Sequence, residues 1–134
     1  MILESTTYPG TTEELFAPIL EAGSGLTAGA DFHLGYSPER IDPGNTVWGF
    51  QQTPKVVSGV DEASLKAVEA FYGQLVDTTV PVRSPKEAEL AKLLENTFRH
   101  VNIALVNEIA MFARHLDIDV WQSIEPPPAS PSAS

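Results

Sequence analysis

The spacing of hydrophobic and polar positions changes several times along the chain, and each change predicts an element. Residues 1–3 are typical of the end of a strand, and a polar loop follows them. The pattern then predicts a helix from Thr11 or Thr12 to about Glu21. Glu14 stands three residues after Thr11, which fits a capping box, so we expect a threonine to cap this helix.

The middle of the chain alternates between strand and helix patterns. Strand patterns occupy residues 31–36, 55–59 and 78–82, and helical spacing occupies Asp61 to about Gly73. The stretch from Ile41 to Thr53 lacks periodicity and predicts a long loop that carries Trp48 and Phe50. This alternation predicts an α/β fold with a largely parallel sheet and helices packed on it.

Gly23-Ser24-Gly25 with Gly29 imitates a dinucleotide fingerprint. The spacing differs by one residue, and the segment follows a helix where a phosphate loop would follow a strand. We therefore interpret it as a helix C-cap and turn.

Ser84-Pro85-Lys86-Glu87 predicts the start of a long helix, with Ser84 as the cap and Pro85 in the first turn. No Gly or Pro follows before Pro126, so the helix is predicted to run to about His115, roughly 46 Å at 1.5 Å per residue. It is expected to leave its domain and reach another domain or a second subunit. Its apolar circumference is typical of burial between layers. Its second half has few partners within this chain, so we expect the following residues to be exposed: Val101, Leu105, Ile109, Met111 and Phe112.

Helical spacing sets Lys92 and Asn96 one turn apart, and the polar residues Glu89, Arg99, His100 and Asn107 share their side of the helix. Glu39 lies in a Ser-Pro-Glu-Arg turn after the predicted strand 31–36, and ligand sites of open α/β sheets lie at such strand ends. A carboxylate, an amine and an amide are the groups that move protons and stabilise an oxyanion.

Each of these residues also has a simpler interpretation. From the residues alone, Glu39 is more simply a turn acid paired with Arg40, and Lys92 is more simply an ammonium that extends past apolar neighbours to water. Arg99 and Asn102 fit either substrate contact or a pairing with Glu95.

Composition narrows the function classes. The net charge is −10, from 8 Lys plus Arg against 18 Asp plus Glu, so nucleic acid and anionic membranes are not expected partners. Cysteine is absent, and the three histidines are too scattered for a metal site, so no metal is assigned. No signal sequence or membrane-length apolar run is seen, which makes the cytoplasm the expected location.

The last nine residues, 126–134, contain four Pro, three Ser and two Ala, and are predicted to form a disordered tail. The composition changes abruptly after Trp121 to Glu125, whose pattern is still typical of a folded helix. We interpret the segment after Ile124 as a foreign or frame-shifted end.

Three motifs resemble the UDP-glucose/GDP-mannose dehydrogenase family in their order and spacing. They are Ser5 to Thr11 (Ser-Thr-Thr-Tyr-Pro-Gly-Thr), Tyr36 to Arg40 with Asp42 to Asn45, and Ala88 to Asn96. The resemblance covers about 125 of the 134 residues. Phe98 to Glu108, together with Arg40, is most similar to the branch that acts on UDP-N-acetylglucosamine or UDP-N-acetylmannosamine, enzymes of polysaccharide biosynthesis.

The resemblance implies an NAD-dependent oxidoreductase that oxidises the sugar C6 alcohol to a carboxylate in two hydride transfers, through a thiohemiacetal on cysteine. It implies that Glu39 assists the water chemistry, that Lys92 stabilises the developing oxyanion, and that Asn96 hydrogen-bonds that oxygen or a water. Thr6 matches the family threonine near the nicotinamide end of NAD. The implied substrate contacts are Glu39, Arg40, Lys92, Asn96 and Arg99, and the implied assembly is a homodimer through the long helix.

The resemblance also implies which parts of the family pattern this sequence contains. Residues 1–83 are expected to be the later part of a Rossmann-like NAD-binding domain, and 84–125 the long helix and the start of an all-α central domain. The family's glycine-rich pyrophosphate loop and its Gly-Gly-x-Cys segment do not occur in the sequence. Two hypotheses stay open: an inactive piece of a nucleotide-sugar dehydrogenase, or a non-catalytic binding or dimerisation module derived from that family.

Overall fold

The structure, a computed structural model, describes residues 1–40 and 49–124. These residues fall into two compact units, which divide between Glu95 and Asn96. The elements in chain order are β1 (Ile2–Leu3), a π-helical turn (Thr11–Phe16) that continues as α1 (Ala17–Ser24), β2 (Gly35–Tyr36), β3 (Lys55–Gly59), α2 (Glu62–Tyr72), β4 (Thr79–Pro81), α3 (Pro85–His115) and α4 (Val120–Ile124). Trp48, most of the predicted loop around it and the tail 126–134 lie outside the described residues.

The four strands form one sheet in the order β1-β2-β3-β4. β1 pairs with β2 and β3 with β4 in parallel, whereas β2 and β3 are antiparallel. The predicted α/β class with a mostly parallel sheet is therefore confirmed.

Adjacent residues of β3 face opposite sides of the sheet, as the two-residue period of a strand requires. Val57 packs in a cluster with Val68 and Tyr72 of α2. Val56 packs in a second cluster with Tyr36 and Ala88, the latter in the first turns of α3. The sheet is thus covered by α2 on one face and by the start of α3 on the other.

Local signals placed several elements correctly. β3 has its predicted bounds, and α2 and β4 lie within the predicted ranges. α3 also has its predicted bounds, and its capping box is confirmed: the Ser84 N–H donates to the Glu87 carboxylate at 3.2 Å and the Glu87 N–H to Ser84 Oγ at 3.4 Å. The predicted strand 31–36 is shorter, because Asp31 closes a turn with the N–H and the carbonyl of Thr27.

The predicted capping box at Thr11 is wrong. The N-cap of the π-helical turn is Gly10, whose φ of 106° lies in the left-handed region. The Thr11 hydroxyl instead donates to the Tyr8 carbonyl at 2.7 Å, and Glu14 pairs with Lys86 at 2.7 Å. At the other end of the helix the C-cap interpretation is confirmed, because Gly25, with φ 72°, donates its N–H to the Glu21 carbonyl at 2.8 Å.

In the second unit, the described residues comprise the rest of α3 and the short helix α4. The expected exposure of the apolar side chains in this half of α3 is confirmed, with exposed fractions from 50 to 66% for Val101, Leu105, Ile109, Met111 and Phe112. Burial of α3 between layers is therefore wrong for this part of the helix, because few described residues cover its apolar faces. Among the described residues, no helix combines the length and the apolar content needed to cross a bilayer.

Candidate functional site

The polar loop after β1 lies at the carboxyl end of that strand and carries Thr6. Thr6 is exposed, whereas its neighbour Thr7 is half-buried. The Tyr36 hydroxyl, at the end of β2, donates to the Ser5 carbonyl at 2.6 Å. Burial raises the pKa of Tyr36, the nearby charge of Glu89 raises it further, and a hydrogen bond with Thr7 opposes both effects. The loop is thus held from the sheet side by a tyrosine that stays protonated at neutral pH.

Glu89 of α3 holds the same loop from the other side and is fully buried. Its carboxylate accepts the Gly10 N–H at 2.5 Å, and the Thr12 N–H and hydroxyl at 2.9 and 2.7 Å, with the Thr7 hydroxyl at 3.5 Å. Two of these donors are backbone groups at the start of the π-helical turn, where a helix leaves N–H groups unpaired and favours negative charge. Sequence reasoning placed Glu89 in the polar stripe of α3 and missed this contact.

The turn after β2 carries Glu39 and Arg40, as predicted. Ser37 is buried, and its hydroxyl donates to the Val56 carbonyl at 2.7 Å, which fixes the start of the turn to β3. Glu39 Oε1 accepts the Arg40 backbone N–H at 2.6 Å. The Arg40 guanidinium pairs with Glu95 of α3 at 2.7 Å. The pairing suggested for Glu95, with Arg99 or Asn102, is replaced by Arg40, and Asn102 donates its amide to the Phe98 carbonyl at 2.7 Å.

A buried lysine at the start of β3 was not predicted. Lys55 is only 3% exposed; its ammonium pairs with Glu4 and lies 5.7 and 5.1 Å from the ring centroids of Phe50 and Tyr72. The Tyr72 hydroxyl donates to the second Glu4 oxygen at 3.1 Å. Burial, with the Glu4 carboxylate next, raises the pKa of Tyr72 to about 12. The sequence signal was a lysine that begins a strand of otherwise buried residues.

This lysine lies beside the predicted carboxylate. Lys55 lines a pocket of about 10 Å³ together with Glu39, Arg40, Phe50 and Thr53. That volume is close to the space that one water occupies. The charge of Glu39 also raises the pKa of Tyr72, and a hydrogen bond with Ser37 lowers it. The carboxyl ends of β1 and β2 therefore share one cluster of charged and aromatic side chains.

The predicted residues of α3 fall in both units. In the first unit, Lys92 is half-buried and lies between Glu89 and Glu95, the two residues that contact the β1 and β2 loops. In the second unit, Asn96 is half-buried and Arg99 is exposed. Lys92 is thus flanked along the helix by two contacts with the loops that follow β1 and β2, and the assigned roles of all three residues stay predictions. No group of three His, Asp or Glu residues in the described ranges could hold a metal ion.

Two family models match the chain. The NAD binding domain of the UDP-glucose/GDP-mannose dehydrogenase family matches residues 1–76, and the central domain of the same family matches residues 86–127. The chain therefore belongs to the UDP-glucose/GDP-mannose dehydrogenase family. The predicted family and its cofactor, NAD, are confirmed by these matches.

Similar proteins agree with this assignment. Protein CapL of Staphylococcus aureus is 51% identical over 89% of this chain and 28% of CapL, and the UDP-N-acetyl-D-glucosamine 6-dehydrogenase of Salmonella typhi is 44% identical over the same shares. The structure of the UDP-D-ManNAc dehydrogenase of Pyrococcus horikoshii superposes with a TM-score of 0.85 at 38% identity, over 99% of this chain and 32% of that one. The chain spans about 28% of the length of these curated relatives.

Proposed function

We propose that this chain is a segment of an NAD-dependent nucleotide-sugar 6-dehydrogenase that oxidises the C6 alcohol of a UDP-N-acetylhexosamine to the carboxylate. One observation carries the proposal: the segments that contain Thr6, Glu39 and Lys92 meet at the carboxyl ends of β1 and β2. Glu89 ties the first segment to α3, and the Arg40–Glu95 ion pair ties the second. Ligand sites of open α/β sheets occupy this position.

The residues present fit the nicotinamide end of NAD. The exposed Thr6 offers a hydroxyl at the carboxyl end of β1. The backbone N–H groups of Gly10 and Thr12, which could otherwise bind a phosphate, are already bonded to Glu89. This helix start therefore suits the non-phosphate end of the cofactor. NAD, when bound, supplies the hydride acceptor.

The remaining roles in the reaction are assigned to side chains of this chain. The Lys92 ammonium stabilises negative charge that develops on the substrate oxygen, and Asn96 hydrogen-bonds that oxygen or a water. The Glu39 carboxylate takes a proton from the water that releases the product after the second hydride transfer. Arg40 and Arg99 supply positive charge for the nucleotide-sugar.

In the proposed enzyme, residues 1–83 are the later part of the NAD-binding domain, and residues 84–125 are the connecting helix and the start of the central domain. The exposed apolar side chains of the second half of α3 support a homodimer through this helix.

A chimera tests the function directly. In the Salmonella typhi enzyme, the segment that this chain matches is replaced by the matching residues of this chain. We expect the chimera to form NADH from UDP-N-acetylglucosamine, whereas the 134-residue chain alone forms none, because it contains neither the glycine-rich pyrophosphate loop that binds NAD nor the cysteine of the covalent step.

Two variants of the chimera serve as controls. Lys92→Ala is expected to abolish most activity, and Lys66→Ala to leave it unchanged, because the side chain of Lys66 is 72% exposed and pairs with Glu62 on the surface of α2. A folded chimera with no NADH formation, or equal losses in both variants, contradicts the proposal.

The alternative is a non-catalytic binding or dimerisation module, which the same exposed helix face favours. The genomic sequence on either side of the coding region separates the two. A glycine-rich strand-turn-helix upstream and a Gly-Gly-x-Cys segment downstream, in frame, support the enzyme. Their absence supports the module.

A further inference from the structure

The buried carboxylate of Glu89 joins two predicted site segments, yet it cannot touch the substrate itself. It has no exposed surface, and all four of its donors belong to residues 7–12. Thr7 is adjacent to Thr6 in the chain. Lys92 follows Glu89 by three residues on α3, a rise of about 4.5 Å along the helix axis. One side chain therefore links the loop of Thr6 to the helix turn of Lys92.

We propose that Glu89 is a positioning residue, which holds the loop carrying Thr6 at a fixed distance from the Lys92 turn so that cofactor and oxyanion contacts are aligned together. The inference rests on the proposed function. Glu89 acts through neighbouring residues on both the cofactor side and the oxyanion side of the site. A displacement of about 1 Å in a reacting group is enough to lower the rate substantially, so a side chain that fixes this distance contributes to catalysis.

The ionised carboxylate suits this position better than its amide analogue. Both oxygens accept hydrogen bonds, Oε2 from the Gly10 N–H and Oε1 from Thr12 and Thr7. Glutamine at this position would turn an NH₂ group toward one set of these donors, since an amide has only one acceptor oxygen. Glu89→Gln therefore keeps the shape of the side chain but loses part of the hydrogen bonding between α3 and residues 7–12.

The variant is expected to fold, because the loop has a second attachment. Tyr36 holds the Ser5 carbonyl from the sheet side, and this bond does not involve Glu89. The first turns of α3 also keep their contacts through Ala88, which is fully buried in the cluster with Val56. The loop is then expected to shift while the fold remains.

The kinetic test uses the active chimera described above. Glu89→Gln is expected to raise the KM for NAD about ten- to a hundredfold and to lower kcat, with the KM for the UDP-sugar changed much less. Glu87→Gln is the matched control on the same helix. Glutamine also serves in a capping box, so this variant is expected to keep parental kinetics.

A purely structural role predicts a different result. Glu89→Gln would then lower the melting temperature and the active fraction, while the folded enzyme would keep the parental KM for NAD. That result would overturn the proposal. If Glu89→Gln does not fold, Thr12→Val replaces it, because valine removes only the hydroxyl bond of 2.7 Å and preserves the backbone bond. A KM for NAD unchanged in Thr12→Val would likewise contradict it.

A second measurement separates this inference from the proposed function. Amide hydrogen exchange in the 134-residue chain measures the hydrogen bonds between the loop and Glu89, and it requires no enzymatic activity. In Glu89→Gln the N–H groups of Gly10 and Thr12 are expected to exchange at least tenfold faster, with those of α2 unchanged. If the parental chimera is inactive, the proposed function fails, and unchanged exchange at both amides would separately overturn the role of Glu89.

Discussion

At the scale of single residues, the charged side chains of the site are of two kinds, buried and half-buried. Lys55 and Glu89 are buried, and both have several partners, as buried charges require. Lys92 is half-buried, and Glu39 lines a pocket of about one water in volume. The first pair is held by contacts with the loops, whereas the second pair keeps part of its surface exposed.

Substitutions of Lys92 and Glu39 in the chimera are expected to block different steps of the reaction. Lys92→Ala should lose the first hydride transfer by about 10²–10³ in rate, the usual effect of removing one oxyanion donor. Glu39→Gln should still reduce two NAD per site and then accumulate a covalent sugar thioester, because the carboxylate acts mainly in the water attack that follows both hydride transfers. Stopped-flow NADH bursts with intact-mass analysis measure both. A Glu39→Gln protein without burst or adduct refutes the role of the carboxylate.

The raised pKa of Tyr72 predicts that the folded chain loses stability at high pH. Its pKa is raised from 10.0 to about 12 in the folded chain, so the unfolded chain loses the phenol proton first. Stability from this group is complete below pH 10 and declines as the pH rises through about 12. Urea unfolding of the chain at several pH values should show a steeper alkaline decline than in Tyr72→Phe, which has no phenol. Equal declines would exclude the shifted pKa.

At the scale of elements, the sequence predicted best where the signal is local. The bounds of α3 follow from Ser84 and Glu87, which lie within one turn of each other and cap the helix together. The start of the first helix could not be predicted in this way. Its capping carboxylate, Glu89, lies 77 residues from Thr12, whereas the local candidate, Thr11, bonds to Tyr8. A contact across that distance depends on the tertiary fold, which no local pattern contains.

The same distinction applies to the site. The spacing of Lys92 and Asn96 along one helix, and the position of Glu39 after a strand, are visible in the sequence. The cluster of Lys55 with Glu4 and Tyr72 is not, because its members come from β3, the loop after β1 and α2. Their proximity depends on the order of strands in the sheet.

Two glycines of the first helical segment should respond oppositely to alanine. Gly10→Ala is expected to destabilise the chain by about 1–2 kcal/mol, because φ is 106° and a Cβ would lie 3.0 Å from the Glu14 carboxyl carbon. Gly23→Ala, inside α1 with no atom within 4 Å of an added Cβ, should stabilise it by about 0.5–1 kcal/mol. Urea unfolding measures both. Changes of the same sign would contradict the assigned backbone conformations.

At the scale of the whole molecule, the two units differ in how much apolar surface they cover. The first unit buries apolar side chains in two clusters on either face of its sheet. In the described part of the second unit, the one apolar residue with less than a tenth of its surface exposed is Ala113. The described part of the second unit therefore leaves most of its apolar side chains exposed.

This surface predicts that the 134-residue chain associates with itself. Val101, Leu105, Ile109 and Phe112 recur at helical spacing along α3 and are each 50 to 66% exposed, so together they form a continuous apolar stripe. Sedimentation velocity should show species that grow with concentration. Lys in place of both Leu105 and Ile109 should shift the chain toward monomer, because two charges would have to be buried in the contact. Lys in place of Ile19, which is 59% exposed on α1, is the matched control and should leave association unchanged. A parental chain that stays monomeric at high micromolar concentration would contradict both the stripe and the proposed homodimer.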